Sequence, residues 1–193
     1  MQGPFRGSPI TRATEGYHRR AFSVGEVLRM PDIGIFHPDE KFELIEGDIV
    51  PRWPKHSAHE RIKTHLGMAL IRACPGELMC GIGTSLFLSK RTFVQPDICL
   101  YSKDIRSDKV KGPDIVLAID VAEETLDYDR TLKTRIFQCY GTKELWVIDA
   151  TRRRTFIHRR PLAEGWESIT EHGPDFGLTI DAVPGFSQRL DQI

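Results

Sequence analysis

The stretch from Lys111 to Ala150 constrains the fold more than any other part of the chain. Ile115–Ile119 is an unbroken apolar run too short for a typical helix, with Pro113 just before it. That pattern predicts a strand covered on both faces. The run ends on Asp120, with Glu123, Glu124, Asp127 and Asp129 close behind; acids placed in a core need a positive partner there. From Asp129 to Tyr140, Leu132, Ile136 and Cys139 recur at helical spacing, and Gly141 stands where a C-cap glycine belongs. Glu144–Ala150 then reads as a second buried strand. Strand, helix and strand at this spacing predict a right-handed parallel crossover. An acid at the carboxyl end of such a strand is where open α/β sheets place their sites.

The rest of the chain supplies shorter elements. Residues 1–22 are rich in Gly, Pro, Arg and Thr without periodicity, which predicts a loose or partner-dependent arm ahead of one domain over 23–193. Ser23 and Glu26 have capping-box spacing for a helix from Val24 to Met30, ended by Pro31 and Asp32. Phe42–Pro51 alternates on either side of Glu46-Gly47-Asp48 and predicts a hairpin. Ser57 and Glu60 form a second capping-box pattern. The helix behind it would place Ala58, Ile62, Leu66, Ala69 and Ala73 on one face and stop at Pro75-Gly76. His59 and Glu60 fall in its first turn, where Glu60 also serves as cap and dipole partner. Thr84–Ser89 and Phe93–Tyr101 predict an antiparallel hairpin. Pro96 confines the second strand to an edge or breaks its ladder. Asp97 follows it, on the face of Gln95 and Cys99. Thr155–Arg160 and Trp166–Thr170 predict a closing hairpin, and a short apolar stretch around Phe176–Val183 can pack on the domain or on a partner.

Size and charge set outer bounds. The 193 residues suit a single domain with a real core. Zero net charge removes any global basic field, although local patches still bind phosphates. The largest local excess is Arg152, Arg153 and Arg154 with His158, Arg159 and Arg160, a candidate nucleic-acid contact or a solvated hairpin. The four cysteines lack C-x-x-C pairing, which predicts reduced core thiols. No apolar run is long enough to span a membrane and no signal-peptide region is present, so a soluble cytoplasmic protein is expected.

Two carboxylates on neighbouring strands, Asp97 and Asp120, can share one hard divalent cation, with water and a phosphate oxygen completing its shell. Lys133, four residues after Asp129, can orient the attacking water or stabilise charge on the phosphate. Together they make a minimal kit for metal-assisted phosphodiester hydrolysis. Each also has a plain structural reading: Asp129 and Lys133 as a helix ion pair of ~0.3–0.5 kcal/mol, Asp97 as a surface residue, Asp120 as a helix cap.

The order Phe42-Glu-Leu-Ile-Glu-Gly-Asp48, His59, Gln95-Pro-Asp97, the Pro113–Val121 strand, Asp129-x-x-x-Lys133, Tyr140-Gly141 and Glu144-Leu-Trp-Val-Ile-Asp149 resembles the Uma2 family of the PD-(D/E)XK nuclease superfamily. The resemblance runs from about Ser23 to Arg160. It implies an α/β restriction-endonuclease-like core, a mixed sheet flanked by helices. It also implies a Mg²⁺ site that accepts Mn²⁺, DNA as substrate, and pairing into a homodimer. By the same resemblance Asp97 matches the aspartate of the "PD" motif. Asp120 falls where the family usually has glutamate, and Lys133 matches the lysine of the following helix. Glu46 matches an acidic position in the early hairpin, with His59 or Glu60 facing the same site. Two departures stand out: Ala122 replaces the superfamily's strand lysine, and Ala122-Glu-Glu-Thr-Leu126 replaces the family's Leu-Ser-Pro-Ser-Thr. The expectation is a Mg²⁺-dependent DNA endonuclease with catalytic Asp97, Asp120 and Lys133 and metal ligands Asp97 and Asp120. Its rivals are an inactive nuclease fold kept for binding or assembly, and a metal-dependent hydrolase of RNA or nucleotides.

Overall fold

The Ile115–Ile119 run lies inside an eight-residue strand, β9 below, which is almost wholly buried. The computed structural model describes residues 10–12, 18–37, 39–52 and 55–193. Within the N-terminal arm, β1 (Ile10–Arg12) and β2 (His18–Arg20) pair antiparallel; residues 1–9 and 13–17, where the loose arm is also expected, lie outside the described residues. The chain continues through α1 (Val24–Val27), β3 (Phe42–Ile45), β4 (Asp48–Pro51), α2 (Ser57–Ala73), β5 (Leu78–Ile82), β6 (Leu86–Ser89) and β7 (Thr92–Val94). It then runs through β8 (Ile98–Ser102), β9 (Ile115–Ala122), α3 (Leu126–Tyr128), α4 (Thr134–Cys139), β10 (Glu144–Asp149), β11 (Arg154–Pro161) and β12 (Trp166–His172).

Two main sheets result. The larger has the order β12-β11-β10-β9-β8-β5, and the smaller β4-β3-β7-β6. β9 and β10 are parallel, from Leu145 opposite Ala118 to Asp149 opposite Ala122, as the strand–helix–strand pattern predicts. The other neighbours in the large sheet are antiparallel.

Side-chain alternation along β9 sorts the core into two layers. Leu117, Ile119 and Val121 face α2, meeting Ile62, Leu66 and Leu70, together with Leu178, Ile180, Val183 and Phe186 from the tail. Ala118 and Ala122 face the other way, toward Ile136 and Phe137 of α4 and toward Leu86 and Val94 of the small sheet. Asp120 shares their parity, so it points into the gap between the large sheet, α4 and the small sheet. A third cluster, Val27, Leu44 and Phe93, seals the far side of the small sheet.

Several sequence expectations are corrected. The Phe93–Tyr101 strand divides at Gln95-Pro96-Asp97: β7 stays with β6 in the small sheet, while β8 passes between β5 and β9 in the large one. Pro96 has no N–H to offer a ladder, so the break falls there. The expected helix from Asp129 to Tyr140 begins earlier and is not uniform. Between α3 and α4 a wider π-helical turn spans Asp129–Lys133, and Thr134 Oγ1 donates to the Asp129 carbonyl at 2.7 Å. The capping box at Ser23 forms, with Glu26 N–H donating to Ser23 Oγ at 3.2 Å and Ser23 N–H to Glu26 Oε2 at 2.8 Å, but the helix ends at Val27. At α2 the cap position is His56 and Ser57 is already helical; Glu60 pairs with Lys63 Nζ at 2.8 Å instead of capping. β5 answers to no sequence expectation. Among the described residues no helix is long and apolar enough to cross a membrane.

Candidate active site

Asp97 and Asp120 enter the site from opposite circumstances. Asp97 sits at the break between the two sheets, just before β8, where the backbone is free of ladder pairing. Asp120 lies in mid-sheet on β9, opposite Val147 of β10. Both are about 3 % exposed, and they are joined through one peptide: Val121 N–H donates to Asp97 Oδ2 at 2.9 Å.

His59, in the first turn of α2 and almost fully buried, completes the hold on Asp97. Its Nε2 lies 2.9 Å from Asp97 Oδ2, and its Nδ1 lies 3.1 Å from Glu60 Oε1. Lys55 Nζ approaches both Asp97 oxygens, at 3.3 and 3.4 Å, and lies 2.7 Å from His59 Nε2. Arg52 Nη2 is 3.8 Å from Asp97 Oδ1. Burial alone would raise the Asp97 carboxyl, but the His59 hydrogen bond and the Lys55 charge outweigh it and hold Asp97 below the usual carboxylate range.

Lys133 answers the acids on the other side. Its Nζ lies 2.8 Å from Asp120 Oδ1, 3.3 Å from Glu43 Oε1 and 4.0 Å from Asp129 Oδ1. The π-helical turn carries Asp129 and Lys133 inward together, and such turns recur at functional sites. Burial disfavours the ammonium, yet Asp120, Glu43 and Asp129 together raise its pKa well above the ordinary lysine value. Burial pushes Asp120 up to about 7; Asp129, Asp97 and Glu43 add to the rise and Lys133 opposes it. Asp129 is likewise raised, chiefly by burial, although Thr125 Oγ1 donates to it at 2.6 Å.

Glu43, with Arg52 and Lys55, is a site residue that sequence reasoning missed. It receives Gln95 N–H at 2.7 Å on Oε1 and Tyr128 O–H at 3.3 Å on Oε2. The available signal was its parity: Leu44 turns into the apolar layer of the small sheet, so Glu43 must turn the other way, toward the acids. Glu46, placed by resemblance in this hairpin, sits in the β3–β4 turn at φ 52°. It accepts hydrogen bonds from Tyr140 O–H at 2.6 Å and Thr92 O–H at 2.8 Å, and it is not among the residues lining the cleft. Glu60 is half exposed and pairs with Lys63, reaching the site only through His59. Arg152 and Arg153 lie in the β10–β11 turn and Arg154 opens β11. Each is engaged within the chain, with Asp149 at 3.4 Å, the Leu190 carbonyl at 3.3 Å and Glu171 respectively.

Glu43, Arg52, Lys55, His59, Asp120, Asp129 and Lys133 wall a cleft of about 120 Å³, with Glu123 and Tyr128 at its side; Asp97 is not part of this lining and meets it through Lys55, His59 and Val121. Asp120 Oδ2 and Glu123 Oε2 are buried without a hydrogen-bond donor. Among the described residues there is no group of three His, Cys, Asp or Glu side chains arranged to hold a metal. Asp97 Oδ1 is approached by Lys55 at 3.3 Å and Arg52 at 3.8 Å, and Asp120 Oδ2 by no hydrogen-bond donor. Oxygen-only donors of this kind suit a hard divalent ion that keeps several waters.

A crystal structure described as "a putative nuclease belonging to DUF820", from Anabaena variabilis ATCC 29413, aligns with a TM-score of 0.70 at 14% identity, covering 88% of this chain and 96% of that one. At that identity the likeness establishes a shared mixed α/β, nuclease-like fold. No curated protein matches the sequence. The model of the family described as "Uma2: Putative restriction endonuclease" matches residues 24–191, and the chain, whose buried acids and lysine those residues contain, belongs to the Uma2 family.

Proposed function

We propose that the protein is an endonuclease that hydrolyses DNA phosphodiester bonds with Mg²⁺, for which Mn²⁺ substitutes. The observation that carries this reading is the buried, unpaired Oδ2 of Asp120 in a cleft that Lys133 also lines, with Asp97 held one peptide away through the Val121 N–H. A carboxylate oxygen left without a donor in a core costs stability, and a bound cation removes that cost. When bound between Asp97 and Asp120, the ion would supply Lewis acidity toward a phosphoryl oxygen and an activated water. The chain's own residues then have separate tasks. His59 and the Val121 N–H fix Asp97 through Oδ2 and leave Oδ1 for the ion. Lys133, kept charged by three carboxylates, acts as a fixed positive charge beside the phosphate rather than as a proton acceptor. Glu43 and Asp129 set its position. Ala122, where the superfamily has its strand lysine, is compensated by Lys133 reaching the same acid from the helix.

We read the protein as acting in pairs, one copy for each strand of a duplex, and as cytoplasmic. Four unpaired thiols, Cys74, Cys80, Cys99 and Cys139, support a reducing compartment.

Nicking of supercoiled plasmid with Mg²⁺ or Mn²⁺ tests the reading, with Asp97→Ala, Asp120→Ala and Lys133→Ala checked for folding and compared with the wild type. Nicking by the wild type and its loss in all three is the expected outcome, and activity persisting in Asp120→Ala would place the ion elsewhere. Cleavage of RNA but not DNA would correct the substrate. A wild type that neither cleaves nor binds divalent ions would identify a nuclease fold retained for binding.

A further inference from the structure

Lys55 and Arg52 are two cations of the cleft that the proposed reaction leaves without a task. Both crowd the same atom. Asp97 Oδ2 has its close partners in Val121 N–H and His59, each at 2.9 Å, with Lys55 further off at 3.4 Å, whereas Oδ1 sees Lys55 at 3.3 Å and Arg52 at 3.8 Å and no closer donor. Tight charge-assisted hydrogen bonds are shorter, about 2.7–2.9 Å. The two cations thus neutralise Oδ1 without saturating it. They are also the outer cations of the site: their side chains are 31% and 17% exposed, against 4% for Lys133.

Each has a neutral contact besides Asp97, Arg52 with Gln95 Oε1 and Lys55 with His59 Nε2 at 2.7 Å, but neither contact calls for a positive charge. Both lie in the segment leading from β4 to α2, and Lys55 immediately precedes the His56 cap of that seventeen-residue helix. A positive charge there opposes the helix dipole, so helix stability does not explain it. The Coulomb partners are also lopsided: Lys133 already serves Asp120, Glu43 and Asp129, and Asp97 is the acid that Lys55 and Arg52 share.

We propose that Lys55 and Arg52 work in two states of the site, covering Asp97 Oδ1 while no divalent ion is there and turning outward to grip a backbone phosphate of the substrate once an ion takes that oxygen. This rests on the metal-site reading above. A divalent ion and two monovalent cations cannot all stay on one carboxylate oxygen, since they repel one another at contact distance. Lys55, on a flexible four-carbon stem, and Arg52, with a planar fork, are each suited to phosphate. Displacement of the cations and arrival of a polyanion are then one coupled event: metal binding frees the charge that binds the substrate.

The two halves predict effects of opposite sign from one substitution. Removing Lys55 removes a competitor for Asp97, so the full-length Lys55→Ala protein binds Mn²⁺ about tenfold more tightly than wild type by titration calorimetry. The same protein binds a fluorescent DNA duplex in Ca²⁺ several-fold more weakly, and its plot of log affinity against log salt is shallower by about 0.9, one phosphate's worth. Lys55→Gln, which keeps a polar stem, behaves the same way and guards against a packing artefact; circular dichroism verifies the fold of both. Unchanged or weaker Mn²⁺ binding in both variants overturns the counter-ion role, and unchanged duplex affinity and salt slope overturn the phosphate role. Asp97→Ala separates the levels: if it abolishes Mn²⁺ binding while the Lys55 variants match wild type, the metal site stands and this inference falls. A wild type that binds no Mn²⁺ overturns both.

Discussion

Asp120→Asn will make this protein more stable while removing its proposed activity. Asp120 is fully enclosed, and burial with its acidic neighbours pushes its carboxyl from 3.8 to about 7. A folded-state pKa above the unfolded value means that the folded protein holds more protons between pH 4 and 7. Wild-type stability therefore falls as pH rises through that window. The rise corresponds to about 4 kcal/mol at 1.36 kcal/mol per tenfold. Asparagine mimics the neutral carboxyl in shape and never ionises, so the variant is spared this loss. Lys133 gives up its 2.8 Å partner but keeps Glu43 and Asp129, which trims the gain to about 2–4 kcal/mol at pH 8. For a chain of this size that is roughly 4–16 °C in melting temperature. Denaturant titrations of both proteins at pH 4, 6 and 8, without divalent ions, check it. The curves should nearly coincide at pH 4 and separate by pH 8. A variant less stable than wild type at pH 8 would show that the Lys133 contact outweighs the burial cost, and the reasoning would fail.

Two further expectations follow from the same charges. Lys133→Met leaves Glu43, Asp120 and Asp129 buried without their common cation, so it should lose about 3–5 kcal/mol at pH 8 and less at pH 5, where the acids take up protons; urea unfolding at both pH values measures it. Mn²⁺ affinity should climb with pH toward about 7 and level off above it, because Asp120 must lose its proton to become a ligand; calorimetry between pH 5.5 and 8.5 reads the curve, and a flat profile would remove Asp120 from the ligand set.

The crossover around β9 was legible because its signals are local: an apolar run of strand length, a helical repeat and a second run. Asp97, Asp120 and Lys133 could be named for the same reason, each standing at a recognisable place in the chain order. What escaped was set by tertiary contact. Glu43 and Glu46 lie three residues apart in one hairpin, and only the packing of Leu44 against Val27 and Phe93 decides which acid turns toward the cleft. The division of Phe93–Tyr101 between two sheets was visible only as the possibility that Pro96 breaks a ladder. β5, the Leu-Met-Cys-Gly-Ile strand that pairs with β8 in the large sheet, has little periodicity to announce it. Lys55 and Arg52 carry no local sequence signal; only the fold sets them against Asp97.

The break at Gln95–Asp97 has a consequence for how the protein comes together. The chain crosses there from one sheet to the other, so the cleft cannot be made by either sheet alone. Lys133 and Asp120 are 13 residues apart, His59 and Asp97 are 38, and Tyr128 and Glu43 are 85. Closing loops of such different length takes increasing entropy, and contacts between distant segments are the slow ones to form. The acids are thus enclosed by groups from both sheets, so neither sheet alone takes them out of water. Cation binding at Asp97 and Asp120 would therefore be a property of the whole assembled chain, and a fragment lacking either sheet would have carboxylates but no site.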